Sequence, residues 1–487
     1  MRSSRTLLLA VVLSMAAACG GGGGGGAVIV PANIVSISVT PANASISLGT
    51  GQQFTAVGVL SNASKRSLTT VAWTSSNVSV ATIDGSTGKA LSLATGTTLV
   101  TAVSGSYSAS TVLKVTSGGA LPPANNVLPV TVNGSLCSPQ TSSNYPNKAC
   151  VSVTVCSHGT STCQTINDIL LDTGSYGLRV FSSPVLTVPL TQVTAPDGNL
   201  LTECVRYGDG SSDWGPVQLA DIVLGGETAV NVPIQVIDQS FGTPSAGCNG
   251  PLADISPTQT PGAGFNGILG VGLFAQDCGS VCANSTGNGM YYSCSGSNSG
   301  SSCLASKATL TSQVQNPVSF LPVDNNGVVL SLPSVDPAGV ASANGSLVLG
   351  IGTQSNNQPW AVTMYGADSN ADFITVFNGT TYTNAFIDSG SNGFYFPSAI
   401  KTCAGWYCPS SVQNLIATTR GASGAPSSDV SFTIANVTTS ANSVFNDLGA
   451  YSPGVFDWGM PFFFGRDVYF GIDGTGSPVG TGPYWAY

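Results

Sequence analysis

One short pattern occurs twice in the chain and constrains its fold more than any other feature. In each copy an apolar run ends in an acid, a hydroxyl residue, glycine and serine: residues 169–175 read ILLDTGS and residues 386–391 read FIDSGS. Such a run predicts a buried strand with a carboxylate at its mouth, on a turn where a Cβ would be crowded. A single copy would be weak evidence, because Asp-Gly steps are frequent in turns. Two copies with the same flanks predict two homologous lobes that contribute Asp172 and Asp388 to a shared site.

Further motifs follow these acids, and together they resemble the pepsin-like family of aspartic peptidases. Residues 207–211, YGDGS, are similar to the family's flap hairpin with its tyrosine. Residues 265–270, FNGILG, are similar to the hydrophobic-hydrophobic-glycine element that crosses the active loop of the first lobe. We expect its second-lobe counterpart at 463–465, FFG. The elements occur in family order across residues 126–487, which makes the set more specific than any one of them.

The resemblance implies roles for individual residues. Asp172 and Asp388 match the catalytic pair, which shares one proton and activates a water without a metal or cofactor. Tyr207 matches the tyrosine that closes over a polypeptide substrate, and Asp209 lies where some fungal members carry an acid that accepts a basic side chain. The matching support and flap positions are Thr173, Gly174, Ser175, Ser389, Gly390 and Ser391 around the acids, and Tyr207, Gly208 and Asp209 on the flap.

Two positions depart from the family pattern. Arg179 stands where members often carry a tryptophan that supports the flap tyrosine, so the position of the flap is open. Trp214 on the flap's second strand is a candidate replacement. In the second lobe Arg466 stands where an aspartate is usual, and the acid is displaced to Asp467. Neither change removes a reacting group.

A separate module precedes the lobes at residues 33–117. Its short alternating segments with turn residues between them are typical of a small β-sandwich. The run 73–83, WTSSNVSVATI, resembles the bacterial Ig-like group 2 family, and we expect Trp73 to be a core residue. The module contains no cluster of acids or bases. Its expected role is therefore a spacer, with adhesion as the alternative.

The N-terminus reads as an export signal. Arg2 and Arg5 precede an apolar core at 6–15 that is too short to span a bilayer. Cys19, followed by a glycine run, resembles a bacterial lipoprotein box, which implies a lipid anchor at Cys19 and an outer-membrane location. Ala16 stands where leucine is usual in that box, so ordinary signal cleavage and secretion remain the alternative.

Twelve of the 13 cysteines lie after residue 130. An even set in an exported protein indicates disulfides, although spacing alone does not give their pairing. Close pairs that could close small loops are Cys156 and Cys163, Cys278 and Cys282, Cys294 and Cys303, and Cys403 and Cys408. We expect residues 278–303, which are rich in Cys, Gly, Ser and Asn, to form a stapled surface insertion.

Composition excludes several classes of function. The formal net charge is −9 and the chain has no basic patch, which argues against nucleic-acid binding. The single histidine, His158, lies between two cysteines in a predicted surface loop. A Ser-His-Asp hydrolase would have to use this one residue, without the Gly-x-Ser-x-Gly elbow of such enzymes, and a zinc site built on several histidines is excluded. Carboxylates remain the acid-base groups, and no metal or cofactor is expected.

Together these features predict an all-β chain, with a bilobal pepsin-like β-barrel domain preceded by a small Ig-like β-sandwich. The predicted activity is that of a monomeric, membrane-anchored aspartic endopeptidase that works best at acidic pH. The alternatives are a catalytically inactive bilobal binding or inhibitor-like surface protein, and an adhesin. The predicted segments are a signal peptide with lipobox cysteine (1–19), a Gly-rich tether (20–32), the Ig-like domain (33–117), a linker (118–125), the N-terminal lobe (126–330) and the C-terminal lobe (331–487).

Overall fold

The computed structural model describes residues 33–47, 51–62, 64–116, 126–138, 145–257, 264–437 and 440–487. The predicted signal peptide, Cys19, the tether and the linker at 118–125 lie outside these residues. The chain divides into two compact units, Met1–Leu121 and Pro122–Tyr487. Strands dominate both units, which confirms the all-β prediction. Within the described ranges, no helix has the length and apolar character needed to cross a membrane.

The first unit consists of strands that alternate buried and exposed side chains. Its described strands are β1 (Ile34–Thr40), β2 (Ala44–Ser47), β3 (Gly51–Gln53), β4 (Thr55–Leu60), β5 (Lys65–Ser67), β6 (Ala72–Ser75), β7 (Ala81–Ile83), β8 (Lys89–Ser92), β9 (Gly96–Ser104) and β10 (Tyr107–Thr116). They form the sheets β1-β4-β5, β2-β10-β9-β6 and β3-β8-β7. On β9, Val100 and Ala102 are buried while Leu99 and Val103 are exposed, as the two-residue period of a strand requires. Trp73 is 6% exposed, which confirms it as a core residue.

The second unit begins with a lobe built around a closed barrel. Its strands are β11 (Val127–Val132), β12 (Ala149–Ser157), β13 (Cys163–Asp172), β14 (Tyr176–Phe181), β15 (Thr191–Gln192), β16 (Leu200–Arg206), β17 (Ser212–Leu224), β18 (Glu227–Ile237), β19 (Gly267–Val271), β20 (Tyr291–Cys294) and β21 (Cys303–Ala305), with one short helix α1 (Ser280–Asn284). The barrel closes because β12 pairs with both β13 and β17, so the ring runs β12-β13-β19-β14-β18-β17. We call β11 to β21 the first lobe.

The remaining strands form the second lobe and the sheet that joins it to the first. They are β22 (Gly327–Ser331), β23 (Ala343–Leu349), β24 (Met364–Gly366), β25 (Phe373–Phe377), β26 (Thr380–Ile387), β27 (Phe394–Tyr395), β28 (Thr402–Cys403), β29 (Trp406–Tyr407), β30 (Gln413–Arg420), β31 (Ser427–Ile434), β32 (Gly449–Ala450), β33 (Phe456–Trp458), β34 (Asp467–Gly471) and β35 (Tyr484–Ala486). Strands β25 to β33 make the second lobe, a sheet in the order β28-β29-β32-β27-β33-β26-β25-β30-β31. Strands β22, β23, β24, β34 and β35 extend the first lobe's sheet beyond β11. One continuous apolar core includes residues from both lobes.

All twelve described cysteines are paired in disulfides. The bonds are Cys137–Cys150, Cys156–Cys163, Cys204–Cys248, Cys278–Cys282, Cys294–Cys303 and Cys403–Cys408. The four close pairs suggested by spacing are therefore confirmed. His158 lies in the loop between β12 and β13 with its side chain 43% exposed, and its Nδ1 is 2.7 Å from Asp221 Oδ1.

The segment predicted as a stapled surface insertion, 278–303, is closed by the disulfides Cys278–Cys282 and Cys294–Cys303 and is mostly exposed or half-buried, but part of it also joins the sheet of the first lobe. Strand β20 pairs with β16 along residues 200–203, and Tyr291 and Cys282 are fully buried. The fully buried residues of the segment are two disulfide-bonded cysteines, Cys282 and Cys294, and Tyr291. Such a set leaves no apolar periodicity in the sequence. The segment extends the sheet of the β16–β17 hairpin through β20 and belongs to the first lobe.

Candidate active site

Asp172 and Asp388 lie together at the ends of two buried strands. Asp172 is the last residue of β13, and Asp388 directly follows β26. The backbone N–H of Gly174 is 2.8 Å from Asp172 Oδ1 and 3.1 Å from Asp388 Oδ1, so both carboxyls reach one donor. Burial, and then the charge of Asp172, raise the pKa of Asp388, which favours a proton on Asp388. The duplicated motif therefore brings two acids that are far apart in sequence into direct contact.

Each acid is held by its own loop in the same way. Ser175 Oγ donates to Asp172 Oδ2 at 2.5 Å, and Ser391 Oγ donates to Asp388 Oδ2 at 2.8 Å. The Gly390 N–H donates to Asp388 Oδ1 at 2.7 Å, as that of Gly174 does to Asp172. In both acids the outer oxygen, Oδ2, accepts from a serine hydroxyl, and the inner oxygen, Oδ1, accepts from a glycine amide. The two inner oxygens lie on the side of the opposite acid, since the Gly174 N–H reaches both.

Glycine is required in both loops because the opposite carboxyl leaves no room for a side chain. A Cβ on Gly174 would lie 2.6 Å from Asp388 Cγ, and one on Gly390 would lie 2.7 Å from Asp172 Oδ1. These distances are well inside normal van der Waals contact. The close approach of the two acids therefore depends on these glycines.

Two hydroxyl residues join the loops across the interface between the lobes. Thr173 Oγ1 accepts from the Ser389 N–H at 2.8 Å and donates to the Ile387 carbonyl at 3.4 Å. Ser389 Oγ accepts from the Thr173 N–H at 3.1 Å and donates to the Leu171 carbonyl at 2.8 Å. This reciprocal arrangement fixes the distance between the two carboxyls.

A crossing strand supports each acid-bearing strand. In the first lobe β19 runs parallel to β13 and pairs Gly270 with Asp172, as residues 265–270 predicted. In the second lobe β33 runs parallel to β26, and the Asp388 N–H donates to the Trp458 carbonyl at 3.1 Å. The second-lobe counterpart is therefore 456–459, FDWG, and the expectation that it lies at 463–465 is wrong.

The departure at Arg466 consequently lies outside the crossing element. Arg466 Nη1 donates to the Phe462 carbonyl at 2.6 Å, and its guanidinium stacks 4.6 Å from the Phe462 ring centre. Asp467 accepts from Ser331 Oγ at 2.6 Å in the joining sheet. Arg466 and Asp467 are therefore engaged by neighbours other than the acid pair.

The predicted flap is the hairpin of β16 and β17, with its turn at 207–211. The Tyr207 N–H donates to the Ser211 carbonyl at 3.0 Å, and Asp209 is exposed at the tip, where its Oδ1 accepts from Ser211. The charge of Asp209 adds to the raised pKa of Tyr145 and Tyr395, after burial and other charges. Gly208 has open space around it.

Tyr207 packs beside the crossing strand of the first lobe and hydrogen-bonds to a buried acid. Its ring contacts the cluster that contains Leu170 and Ile268. Its hydroxyl donates to Asp213 Oδ2 at 2.7 Å. Asp213 in turn lies beside Asp254, which is 4% exposed. Burial raises the pKa of Asp213 to about 6, and burial plus the Asp213 charge raises that of Asp254 to about 8.

Arg179 supports the flap by an ion pair instead of the tryptophan expected there. Its Nη2 donates to Glu203 Oε1 on β16 at 2.7 Å and to Asp277 Oδ2 at 2.9 Å, and all three side chains are buried. Burial raises the pKa of the Tyr207 hydroxyl, and the positive charge of Arg179 partly opposes that rise. Trp214 is engaged elsewhere, since its Nε1 donates to the Phe241 carbonyl at 2.8 Å.

Sequence reasoning missed Tyr145 and Asp457, which are both coupled electrostatically to the acid pair. Burial first, and then the charge of Asp172, raise the pKa of Tyr145. Asp457 is 5% exposed and its charge raises the pKa of Asp388, after burial and after Asp172. The sequence FDWG contains the acid, but nothing in it marks Asp457 as a neighbour of Asp388. That follows only from the parallel pairing of β33 with β26.

Among the described residues, one group of potential metal ligands comes together: Cys137, Cys150 and Asp168. The two sulfurs are bonded to each other, so they offer no thiolate. Asp168 forms a buried ion pair with Lys148 at 2.7 Å. The chemistry of this group therefore does not fit a metal site.

Comparison with known proteins adds the following matches. Residues 122–487 match the family described as "Protein of unknown function (DUF3443)". Residues 34–115 match the bacterial Ig-like domain (group 2), which confirms the predicted Ig-like module. Ice-binding protein 1 of Shewanella frigidimarina (strain NCIMB 400) is 43% identical over 89 residues, which are 18% of this chain. The chain spans only 10% of that relative's length.

A solved structure, the aspartic proteinase from Irpex lacteus, matches 74% of this chain and 96% of its own. The TM-score is 0.40 and the sequence identity 17%.

Proposed function

We propose that this chain, which belongs to the DUF3443 family through residues 122–487, is an aspartic endopeptidase. In this proposal Asp172 and Asp388 hydrolyse peptide bonds with an activated water. The observation that carries the proposal is that both carboxyls accept from one amide, the Gly174 N–H, at 2.8 and 3.1 Å.

The geometry supports a mechanism in which the pair holds one proton. Two carboxyls this close cannot both ionise cheaply. The ionised partner takes a proton from a water between them, while the protonated partner donates to the scissile carbonyl oxygen. The water oxygen bonds to the carbonyl carbon, and the C–N bond then breaks as a proton passes to the leaving amine.

The surrounding residues act on the orientation of the pair and of the substrate. The hydroxyls of Ser175 and Ser391 hold the outer oxygens, so that the inner oxygens face the water. Thr173 and Ser389 hold the two loops at a fixed separation. Tyr207 and Asp209, on the flap, would cover a bound polypeptide and exclude solvent.

This mechanism predicts an acidic preference. Burial, and then the charge of Asp172, raise the pKa of Asp388, so the pair binds its shared proton more tightly than separate acids would. Activity requires that proton and is lost when rising pH removes it. We therefore expect higher kcat/KM at acidic pH than at pH about 9.

The test is digestion of a peptide library at several pH values by the wild type and by Asp172→Asn and Asp388→Asn. Each variant should lower kcat/KM by about 10²–10⁴-fold, because each removes a general acid or base. Asp429→Asn, an exposed acid on β31, is the matched control. A pepstatin-like inhibitor should block the wild type. Unchanged cleavage in Asp172→Asn, or tight peptide binding without cleavage, would favour the non-catalytic binding protein.

We further propose that the protein is a monomeric outer-membrane lipoprotein anchored at Cys19, with the Ig-like module as a spacer. Its many disulfides support an extracellular or envelope location, because disulfides persist in oxidising compartments. Cys19→Ser should abolish incorporation of labelled palmitate and move the protein from the membrane to the soluble fraction. Unlabelled wild-type protein in the medium would instead support secretion.

A further inference from the structure

Asp457 occupies a position that differs between the two lobes. On the parallel pairs, Asp457 lies opposite Phe386, two residues before Asp388, and Ile268 lies opposite Leu170, two residues before Asp172. The same place beside each catalytic acid is thus filled by isoleucine in the first lobe and by a buried acid in the second. Apolar packing does not explain a carboxyl there.

Ser391 connects this third carboxyl to the pair. Its hydroxyl donates to Asp388 Oδ2 at 2.8 Å and also lies beside Asp457. A hydroxyl has one proton, so while it donates to Asp388 it can only accept from a protonated Asp457. Among the described residues, Asp457 Oδ1 has no hydrogen-bond partner.

The titratable groups that face Asp457 are all acids or phenols. Tyr395 lies directly across from it on β27, and Asp388 and Asp172 lie beyond Ser391. None of the three supplies a positive charge that would neutralise an ionised Asp457. Its charge therefore acts on Asp388 and on Tyr395.

We propose that Asp457 is a positioning residue that extends the working range of the Asp172–Asp388 pair toward neutral pH. This inference rests on the proposed peptidase function. When Asp457 ionises, its negative charge opposes ionisation of Asp388, so the pair keeps its shared proton to a higher pH than two acids alone. While Asp457 is protonated, it orients the Ser391 hydroxyl toward Asp388.

The electrostatics agree with this direction. Burial raises the pKa of Asp457. The charges of Asp172 and then Asp457 add to burial in raising the pKa of Asp388.

The first experiment measures kcat/KM against pH for the wild type, Asp457→Asn and Asp457→Ile, the latter copying Ile268. Both variants lose the negative charge, so the alkaline limb should move to lower pH by about one unit or more. The asparagine amide can still donate to Ser391, so Asp457→Asn should retain a higher kcat at acidic pH than Asp457→Ile. Superimposable alkaline limbs would overturn the inference.

A second experiment does not need activity. Urea unfolding of the wild type, Asp457→Asn, Asp388→Asn and the double variant is compared at pH 4 and pH 8. A carboxyl whose pKa is raised by folding costs stability as pH rises, so Asp457→Asn should stabilise the protein more at pH 8 than at pH 4. That gain should shrink in the Asp388→Asn background, because the opposing charge is gone.

The two experiments separate the two proposals. If the wild type cleaves no peptide, the proposed function fails, while the unfolding cycle still measures the coupling of Asp457 to Asp388. Equal gains at pH 8 in both backgrounds would show that the two acids are uncoupled and would overturn the inference.

Discussion

Thr173 and Ser389 hold the catalytic loops together through backbone groups of the opposite lobe. Thr173 is 3% exposed and Ser389 is 1% exposed, so water does not replace their hydrogen bonds when these are lost. A buried N–H or carbonyl left without a partner costs about 1–3 kcal/mol. The two hydroxyls therefore contribute to stability as well as to the spacing of the acids.

Thr173→Val should lower the free energy of unfolding by about 1–3 kcal/mol, because it leaves the Ser389 N–H and the Ile387 carbonyl unpaired at nearly constant volume. Thr154→Val is the matched control, since Thr154 Oγ1 bonds the exposed Thr165 hydroxyl. That control should change stability by less than about 0.5 kcal/mol. Urea unfolding measures both. Equal effects of the two substitutions would show that the contacts between the loops do not hold the lobes.

At this scale the sequence predicts the acid pair but not its third neighbour. Asp172 and Asp388 are recognisable because their flanks repeat, and a repeated motif is local information. Asp457 becomes a neighbour of Asp388 only through the parallel pairing of β33 with β26. No local pattern specifies that register, which is why 463–465 was a plausible but wrong counterpart.

The flap hairpin is fixed to the first lobe by a buried network. Arg179 on β14 binds Glu203 on β16 and Asp277, whose other oxygen accepts from the Tyr291 hydroxyl at 2.7 Å. The disulfide Cys204–Cys248 adds a covalent tie to the same strand. The sequence could show that a tryptophan was missing at 179, but the replacement needs three segments that meet only in the fold.

Arg179→Met should destabilise the protein by about 3–5 kcal/mol, because it leaves the buried Glu203 and Asp277 without their cation. Arg206→Met, at the exposed end of the same flap strand, is the matched control and should cost less than about 0.5 kcal/mol. Thermal and urea unfolding measure the difference. If Arg179→Met lowers the free energy of unfolding as little as the control does, then Glu203 or Asp277 is already protonated in the folded protein and needs no cation.

A second pair of buried acids, Asp213 and Asp254 behind Tyr207, makes the free energy of unfolding depend on pH. The pKa of Asp254 is raised to about 8 in the folded protein, by burial first and then by the charge of Asp213. The folded state therefore holds a proton that the unfolded state loses near pH 4, and stability falls as pH rises between these values. Asp254→Asn should make this fall in stability shallower, since the other buried acids keep their own contributions. Unfolding of both proteins at pH 5, 6, 7 and 8 checks it, and parallel curves would contradict the assignment.

Across the whole molecule, the sequence predicts the two-unit organisation better than the joining of the lobes. The clustering of cysteines after residue 130 and the Ig-like pattern separate the units, and both are features of composition. The joining sheet pairs β11 with β23 and β22 with β34, which are distant in sequence. Such pairing depends on the complete fold, so alternation within each strand could not indicate its partner.

The separation of the units predicts that the second one works alone. Each unit has its own apolar core, and Asp172, Asp388 and the flap all belong to Pro122–Tyr487. A fragment comprising residues 126–487 should therefore fold and cleave a soluble peptide with kcat/KM within about twofold of the longer chain, since contacts that define a site act over short distances. Its Asp388→Asn variant is the inactive control. If the fragment folds, as judged by cooperative unfolding, but loses activity, the Ig-like module has a part in function beyond that of a spacer. The adhesin alternative would then gain support, because there the activity depends on residues 33–116.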